Sequence, residues 1–182
     1  MQKFAQLCVC LLIGSLLVGC APLIFFDESQ PSFVKKEAKF KKRFLGEYAN
    51  YQDSSVINVF DQSIWIRPDW FDEQRGDTLF RISENSILKY YKKKYFLNYK
   101  DIDGYWMLQL MDLKDEKLSF YCLTLPDSDE EMTELGTMME IRNECGELVK
   151  VVMHPTRKGI NQLIRDDNLD KLSEYHRIDD QH

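Results

Sequence analysis

Nine residues carry the densest chemistry in this chain: Trp65-Ile66-Arg67-Pro68-Asp69-Trp70-Phe71-Asp72-Glu73. Three large rings, a guanidinium and three carboxylates make the composition of a site that stacks on a sugar or a lipid headgroup and fixes it by charge. Trp65, Arg67, Asp69, Trp70 and Phe71 are therefore the candidate ligand contacts. The same side chains also suit a second task, sealing a barrel mouth or packing a loop onto a core.

Other reactive groups are sparse. His154, His176 and His182 are the only histidines, and none has metal-ligand spacing with another histidine or a cysteine. Asp127, Asp129, Glu130 and Glu131 crowd together as a solvated helix start does, without the look of an acid/base pair. Asp101-Ile102-Asp103-Gly104 has the opening of a calcium loop, but Tyr105 and Trp106 follow at once where further oxygen ligands are needed, so a hairpin turn is the expectation. Lys89-Tyr90-Tyr91-Lys92-Lys93-Lys94-Tyr95 is read as a lysine-rich turn between strands, with headgroup contact left open. No nucleophile elbow, phosphate-cradling glycine loop or dinucleotide fingerprint is present. The expectation is a non-catalytic protein without cofactor or metal.

These residues need elements to hold them. From Gly46 onward, short runs rich in Val, Ile, Tyr, Phe and Trp alternate with turn residues: 56–60, 64–67, 78–82, 87–91, 95–99, 105–113 and 118–125, with 147–153 as one more. Connections this short force antiparallel pairing, so the fold class is α+β, mainly an antiparallel β meander that either curls into a small barrel or is covered by another layer. Ser32 is placed to cap a helix over 33–45, with Phe33, Phe40 and Phe44 near one face and lysines around the rest. The preferred reading is a helix whose phenylalanines plug the end of the sheet while its lysines face water; a basic segment lying on anionic headgroups is the other. Residues 126–140 read as helical. A C-terminal helix starts at Pro155, with Ile160, Leu163 and Ile164 on one face, and continues through Leu169, Leu172 and Tyr175. Residues 21–32 read as a tether.

The first residues explain how such a domain is placed. Lys3 precedes an apolar run from Leu7 to Val18, broken by Gly14 and Ser15, and small Gly19 stands before Cys20. That is a secretory leader, too short to span a bilayer comfortably. Leu17-Val18-Gly19-Cys20 resembles the lipobox of bacterial lipoproteins, which implies diacylglycerol on Cys20, a further acyl chain, and Cys20 as the first mature residue. An ordinary cleaved leader and an uncleaved anchor are the competing readings. By the same resemblance Ala21, standing where an aspartate would retain a lipoprotein at the inner membrane, directs the protein to the outer membrane. Residues 1–19 are then the leader, 20–45 the lipidated tether and basic helix, and 46–182 a single β-rich domain.

Charge narrows the partners. Without Lys3 the chain holds 23 basic against 30 acidic residues; six of the cations fall between Lys35 and Arg43, with Glu37 as the one acid there. An acidic body behind a basic collar argues against nucleic acid and leaves the membrane, a small amphipathic ligand or an envelope protein, the alternatives being a structural or assembly lipoprotein without a pocket and, third, an envelope hydrolase. Cys122 and Cys145 remain as a candidate disulfide in an oxidising compartment, the alternative being two separate thiols. Gly46-Glu47-Tyr48, opening the meander after a helix, is similar to the Gly-x-Trp signature of lipocalins, which implies a lipocalin-like barrel and no particular ligand. The whole resembles small lipoproteins of the Gram-negative envelope, a likeness that implies no activity.

Overall fold

The computed structural model describes residues 23–67, 76–124, 129–165 and 168–178. Eight strands follow one another along the chain: β2 (Gly46–Ala49), β3 (Val56–Val59), β4 (Ser63–Arg67), β5 (Asp77–Arg81), β6 (Ser86–Tyr91), β7 (Lys94–Lys100), β8 (Trp106–Lys114) and β9 (Lys117–Leu123). Each pairs antiparallel with the next except β5 and β6. A late strand, β12 (Leu169–Arg177), lies between β9 and β2 and joins the two halves. The expected antiparallel meander is present, and the sheet is open, since no ladder joins β5 to β6 among the described residues.

The strands β6 to β9 are apolar on both faces because both of their faces are covered. Tyr48, Ile57, Ile64, Phe80, Leu88, Tyr95, Leu97, Met111, Leu118, Phe120 and Tyr175 point into one buried cluster, so every strand of the meander and β12 contributes to it. Alternate residues point outward. On that outer side, Ile87, Trp106, Phe96 and Leu110 meet the helices α1 (Asp129–Leu135) and α2 (Arg157–Leu163) through Leu135, Ile160, Leu163 and Ile164. A second group of strands flanks the helices: β1 (Leu23–Phe26) runs parallel to β11 (Leu148–Pro155), and β10 (Gly136–Arg142) runs antiparallel to β11. β10 pairs on one side only, and Met139, Leu148 and Val149 on this arm are exposed. Among the described residues no helix is long and apolar enough to cross a membrane.

Two glycines are set by close backbone approach. Thr156 caps α2 by accepting from the Gly159 N–H, and a Cβ on Gly159 would lie 1.8 Å from the Leu135 carbonyl oxygen. Gly136, at φ +152°, turns α1 directly into β10 and passes within 2.2 Å of the His154 oxygen at the position a Cβ would take. The helix expected over 126–140 therefore stops at Leu135.

Three expectations need correction. The helix over 33–45 does not form, apart from a single 3-10 turn at Lys42–Phe44. Lys35, Lys39, Lys42 and Arg43 would repel at helical spacing, and the backbone finds partners elsewhere: the Glu37 N–H donates to Leu88 C=O, Phe40 N–H to Asp61 C=O and Lys41 N–H to the Tyr95 hydroxyl. Burying Phe40 and Phe44 contributes about 2 kcal/mol each, more than the few tenths lost per like-charge neighbour. The tether of 21–32 is likewise shorter than expected, because Leu23–Phe26 is a strand and Gln30 is buried. Third, the C-terminal helix ends at Leu163, and 169–177 is a strand. Its apparent helical spacing comes from a β-bulge: Lys171 faces Tyr121, Ser173 faces Phe120, and Leu172 is the extra residue. One added residue flips the face, so Leu169 packs outside while Tyr175 enters the core.

Burial also sets an alkaline limit on this fold. Burial pushes the Tyr48 phenol up to about 12, against the opposing pull of Arg177, and does the same to Tyr95 against the Lys41 N–H. Tyr99 is raised too, again by burial. A raised folded-state value means the stability is fully present below the unfolded value of about 10 and is lost as pH climbs through the folded one. We expect the last of the tyrosinate absorbance, that of the buried phenols, to appear together with the loss of β circular dichroism between pH 10 and 12. Ionisation of all nine tyrosines with the fold intact would contradict this burial.

Candidate functional site

The residues 28–45 form a strap that crosses the free edge of β6. At its start Asn98, fully buried on β7, accepts from the Gln30 N–H at 2.6 Å and donates to the Gln30 carbonyl at 2.9 Å. Beside it the buried Lys89 ammonium donates to the Ser29 and Pro31 carbonyls at 2.6 and 2.8 Å. Burial holds Lys89 below the usual lysine range, with Glu28 opposing and Lys36 adding to the depression. At the other end Arg177 donates to the Arg43 and Leu45 carbonyls and to the Tyr48 hydroxyl, and pairs with Glu116.

Between these fixed ends the strap turns around β6. Phe33 packs edge-on against Tyr91 on the outer face, Lys36 bridges to Lys89 at the edge, and Phe40 and Phe44 pack against Tyr95 on the inner face at 5.0 and 4.8 Å. The cations left outside alternate with rings. The Lys41 Nζ sits 3.3 Å from the Tyr90 ring centre, Arg43 donates to the Tyr90 hydroxyl at 2.7 Å, Arg157 lies over Phe33 and Lys92 near Tyr91. Lys35, Lys36, Lys39, Lys41, Lys42 and Arg43 are all exposed, as are Lys92 and Lys93 of the adjoining turn. Both turn lysines have positive φ, which gives the tight hairpin expected there.

The aromatic loop is seen in part. Trp65 and Arg67 lie on β4, Trp65 exposed beside the Arg81 guanidinium and Arg67 paired with Glu47 at 2.8 Å. Asp69, Trp70 and Phe71 lie outside the described residues. The Asp101–Gly104 turn closes as expected, with the Tyr105 N–H on the Asp101 carboxylate and Gly104 at φ +90°. Its two carboxylates hold the Lys150 ammonium, at 2.6 Å from Asp101 and in contact with Asp103. Partial burial works to raise Asp101, yet Lys150 and the turn N–H groups bring it below the usual carboxylate range, and the two aspartates raise Lys150.

No family model, curated protein or solved structure matches this chain. The chemistry must therefore be read from the side chains alone. His154 lies 2.9 Å from Asp27, and His176 lies 3.6 Å from Glu174 and against Tyr51; His182 is outside the described residues. Among the described residues no three histidine, cysteine or acidic side chains gather as a metal site. Cys122 and Cys145 are free thiols: β1 and β8 stand between β9, which carries Cys122, and the β10–β11 arm that carries Cys145, whereas a disulfide needs Cα atoms within about 7 Å.

Clefts also lie away from the strap, lined by none of its residues. One of about 280 Å³ lies between the β2–β3 turn and β12, lined by Asn50, Tyr51, Gln52, Leu172, Ser173 and His176. The other, of about 320 Å³, is charged, but Lys117 and Lys171 pair with Glu174, and Lys94 with Asp112. The strap's exposed cations, by contrast, outnumber its two carboxylates, Glu28 and Glu37. Its lysines were legible in the sequence. The clamp of Lys89 and Asn98 was missed, and the available signal was a polar residue in the middle of a strand otherwise apolar on both faces.

Proposed function

We propose that the chain is an envelope lipoprotein, acylated at Cys20 and held at the outer membrane, which acts without catalysis by binding an envelope partner protein through its surface. The observation that carries this reading is the filled interior. Tyr48, Tyr95, Phe40, Phe44, Phe80 and Phe120 occupy the space inside the curled sheet, each essentially fully buried, which favours recognition at edges over storage of a ligand inside. The free edge of β10, with Met139, Leu148 and Val149 exposed beside it, has the character of a strand-addition or apolar docking surface. The architectural part of the proposal is a lipocalin-like barrel opened along the β5–β6 seam, supported by the contribution of every meander strand to one core. The second reading, a small amphipathic ligand held by Trp65, Arg67, Asp69, Trp70 and Phe71, draws on the exposed part of Trp65.

Metabolic labelling with palmitate tests the anchor, and a photo-crosslinking side chain at position 139 tests the partner in the same cells. We expect acyl label on the parent, none on Cys20→Ala, and a discrete envelope cross-link from 139 that is missing from a probe at position 114. Label persisting on Cys20→Ala would sink the anchor, and equal cross-linking from both positions would sink the β10 surface.

A further inference from the structure

We propose that the exposed cations of the strap and of the β6–β7 turn form one surface that lies against the anionic headgroups of a phospholipid bilayer. The inference rests on the membrane location proposed above, and it names a second contact between this domain and that membrane, independent of the acyl chains.

Three observations converge on it. The first is display. Lys35, Lys36, Lys39, Lys41, Lys42, Arg43, Lys92 and Lys93 are exposed, while the strap's carboxylates are Glu28 and Glu37. Phe40 and Phe44 are turned into the core, so the surface left outside is mainly cationic, with Phe33 as its partly exposed ring. The two readings of this segment, plug and headgroup contact, are thus compatible, because one side of the strap does each.

The second observation is rigidity. Asn98 and Lys89 fix the strap at 29–31, and Arg177 fixes it at 43–45. A basic segment held in one shape meets a charged plane without the ordering cost that a disordered tail bears on binding.

The third is charge asymmetry and distance. From Gly46 onward the chain holds 17 basic and 27 acidic residues, so the strap is the positive end of an acidic domain. An anionic surface attracts that end and turns the body outward, where separation beyond about 8–10 Å screens its repulsion at physiological salt. The path from the lipid is also short: Leu23 begins β1 three residues after Cys20, a reach of about 10 Å. That keeps the folded domain within reach of the headgroups. A proximal anionic leaflet attracts each nearby Lys or Arg enough to change binding about fivefold.

The test uses residues 21–182, which retain every described element and lack Cys20, so acylation plays no part in it. Co-sedimentation is measured with vesicles of phosphatidylglycerol and phosphatidylcholine, and with phosphatidylcholine alone. We expect binding to the anionic vesicles that falls at least tenfold when sodium chloride rises from about 0.05 M to about 0.5 M. We expect at least a tenfold loss in a variant with Lys35→Gln, Lys36→Gln, Lys39→Gln and Lys42→Gln. A control with Lys100→Gln, Lys114→Gln, Lys117→Gln and Lys158→Gln removes the same charge elsewhere and should bind as the parent does. Thermal melts of both variants by circular dichroism verify that they are folded. Equal binding to phosphatidylcholine, or equal losses in the two variants, overturns the proposal, as does no binding at low salt. None of these outcomes bears on acyl labelling of Cys20, so the two ideas fail separately.

Discussion

Gly159→Ala is expected to destabilise the protein by about 3 kcal/mol, against the direction that helix propensity gives. Gly159 lies inside α2, and in an isolated helix alanine is better there by about 1 kcal/mol. The tertiary position reverses the sign. The added methyl would fall 1.8 Å from the Leu135 oxygen, 2.5 Å from its carbonyl carbon and 2.8 Å from its Cα. All three are backbone atoms, so no side-chain rotation relieves the contact. Either α2 moves away from α1, or the Thr156 N–H loses its bond to the same Leu135 oxygen, now 2.9 Å. Leu163 and Ile160 lie on this helix, in the cluster that covers Trp106 and Ile87, and would lose packing with it. Urea denaturation of parent and variant decides the matter, and a gain of about 1 kcal/mol would mean that propensity alone governs the site and the two helices are not in contact.

The second large effect is expected at Asn98. Asn98→Leu keeps the volume and removes the partner of the Gln30 N–H and carbonyl, both buried. It also removes donations to the Ile87 and Phe96 carbonyls. An orphaned buried group costs about 1–3 kcal/mol, so two of them give a loss of about 3 kcal/mol after the gain from a buried leucine. The loss should be local as well as global. With 29–31 released, Lys89 loses its carbonyl partners and the strap peels from β6, so limited trypsin digestion should cut at Lys35 to Arg43 before the rest of the chain. Uniform resistance of that segment, with stability within about 0.5 kcal/mol of the parent, would show that the clamp holds nothing.

The positions of β3 to β9 were legible because each is a short apolar run bounded by turn residues, and, β5 and β6 apart, neighbours in sequence are neighbours in space. What escaped was non-local. Leu23–Phe26 finds its partner at Lys150–Met153, and nothing within a few residues marks it as a strand. The sequence Leu169, Leu172, Tyr175 mimics a helix because a bulge at Leu172 changes the face once in the strand. The segment 33–45 has helical spacing of its phenylalanines, but its hydrogen bonds lie with Leu88, Asp61 and Tyr95, which only the folded sheet brings near. For the candidate site, the cations were visible as a run, while their display depended on where Phe40 and Phe44 went. The aromatic loop gave residue types without an arrangement.

β1 joins the beginning of the chain to its end, and that has a consequence for assembly. A polypeptide appears from its N-terminus, so Leu23–Phe26 exists long before β11, its parallel partner, and before Trp106, its contact on β8. Closing a span of this length is entropically slow. The strand therefore stays unpaired while most of the chain is made. Its edge is open to any partner met in that interval, and the arm closes on it only after Met153 has arrived.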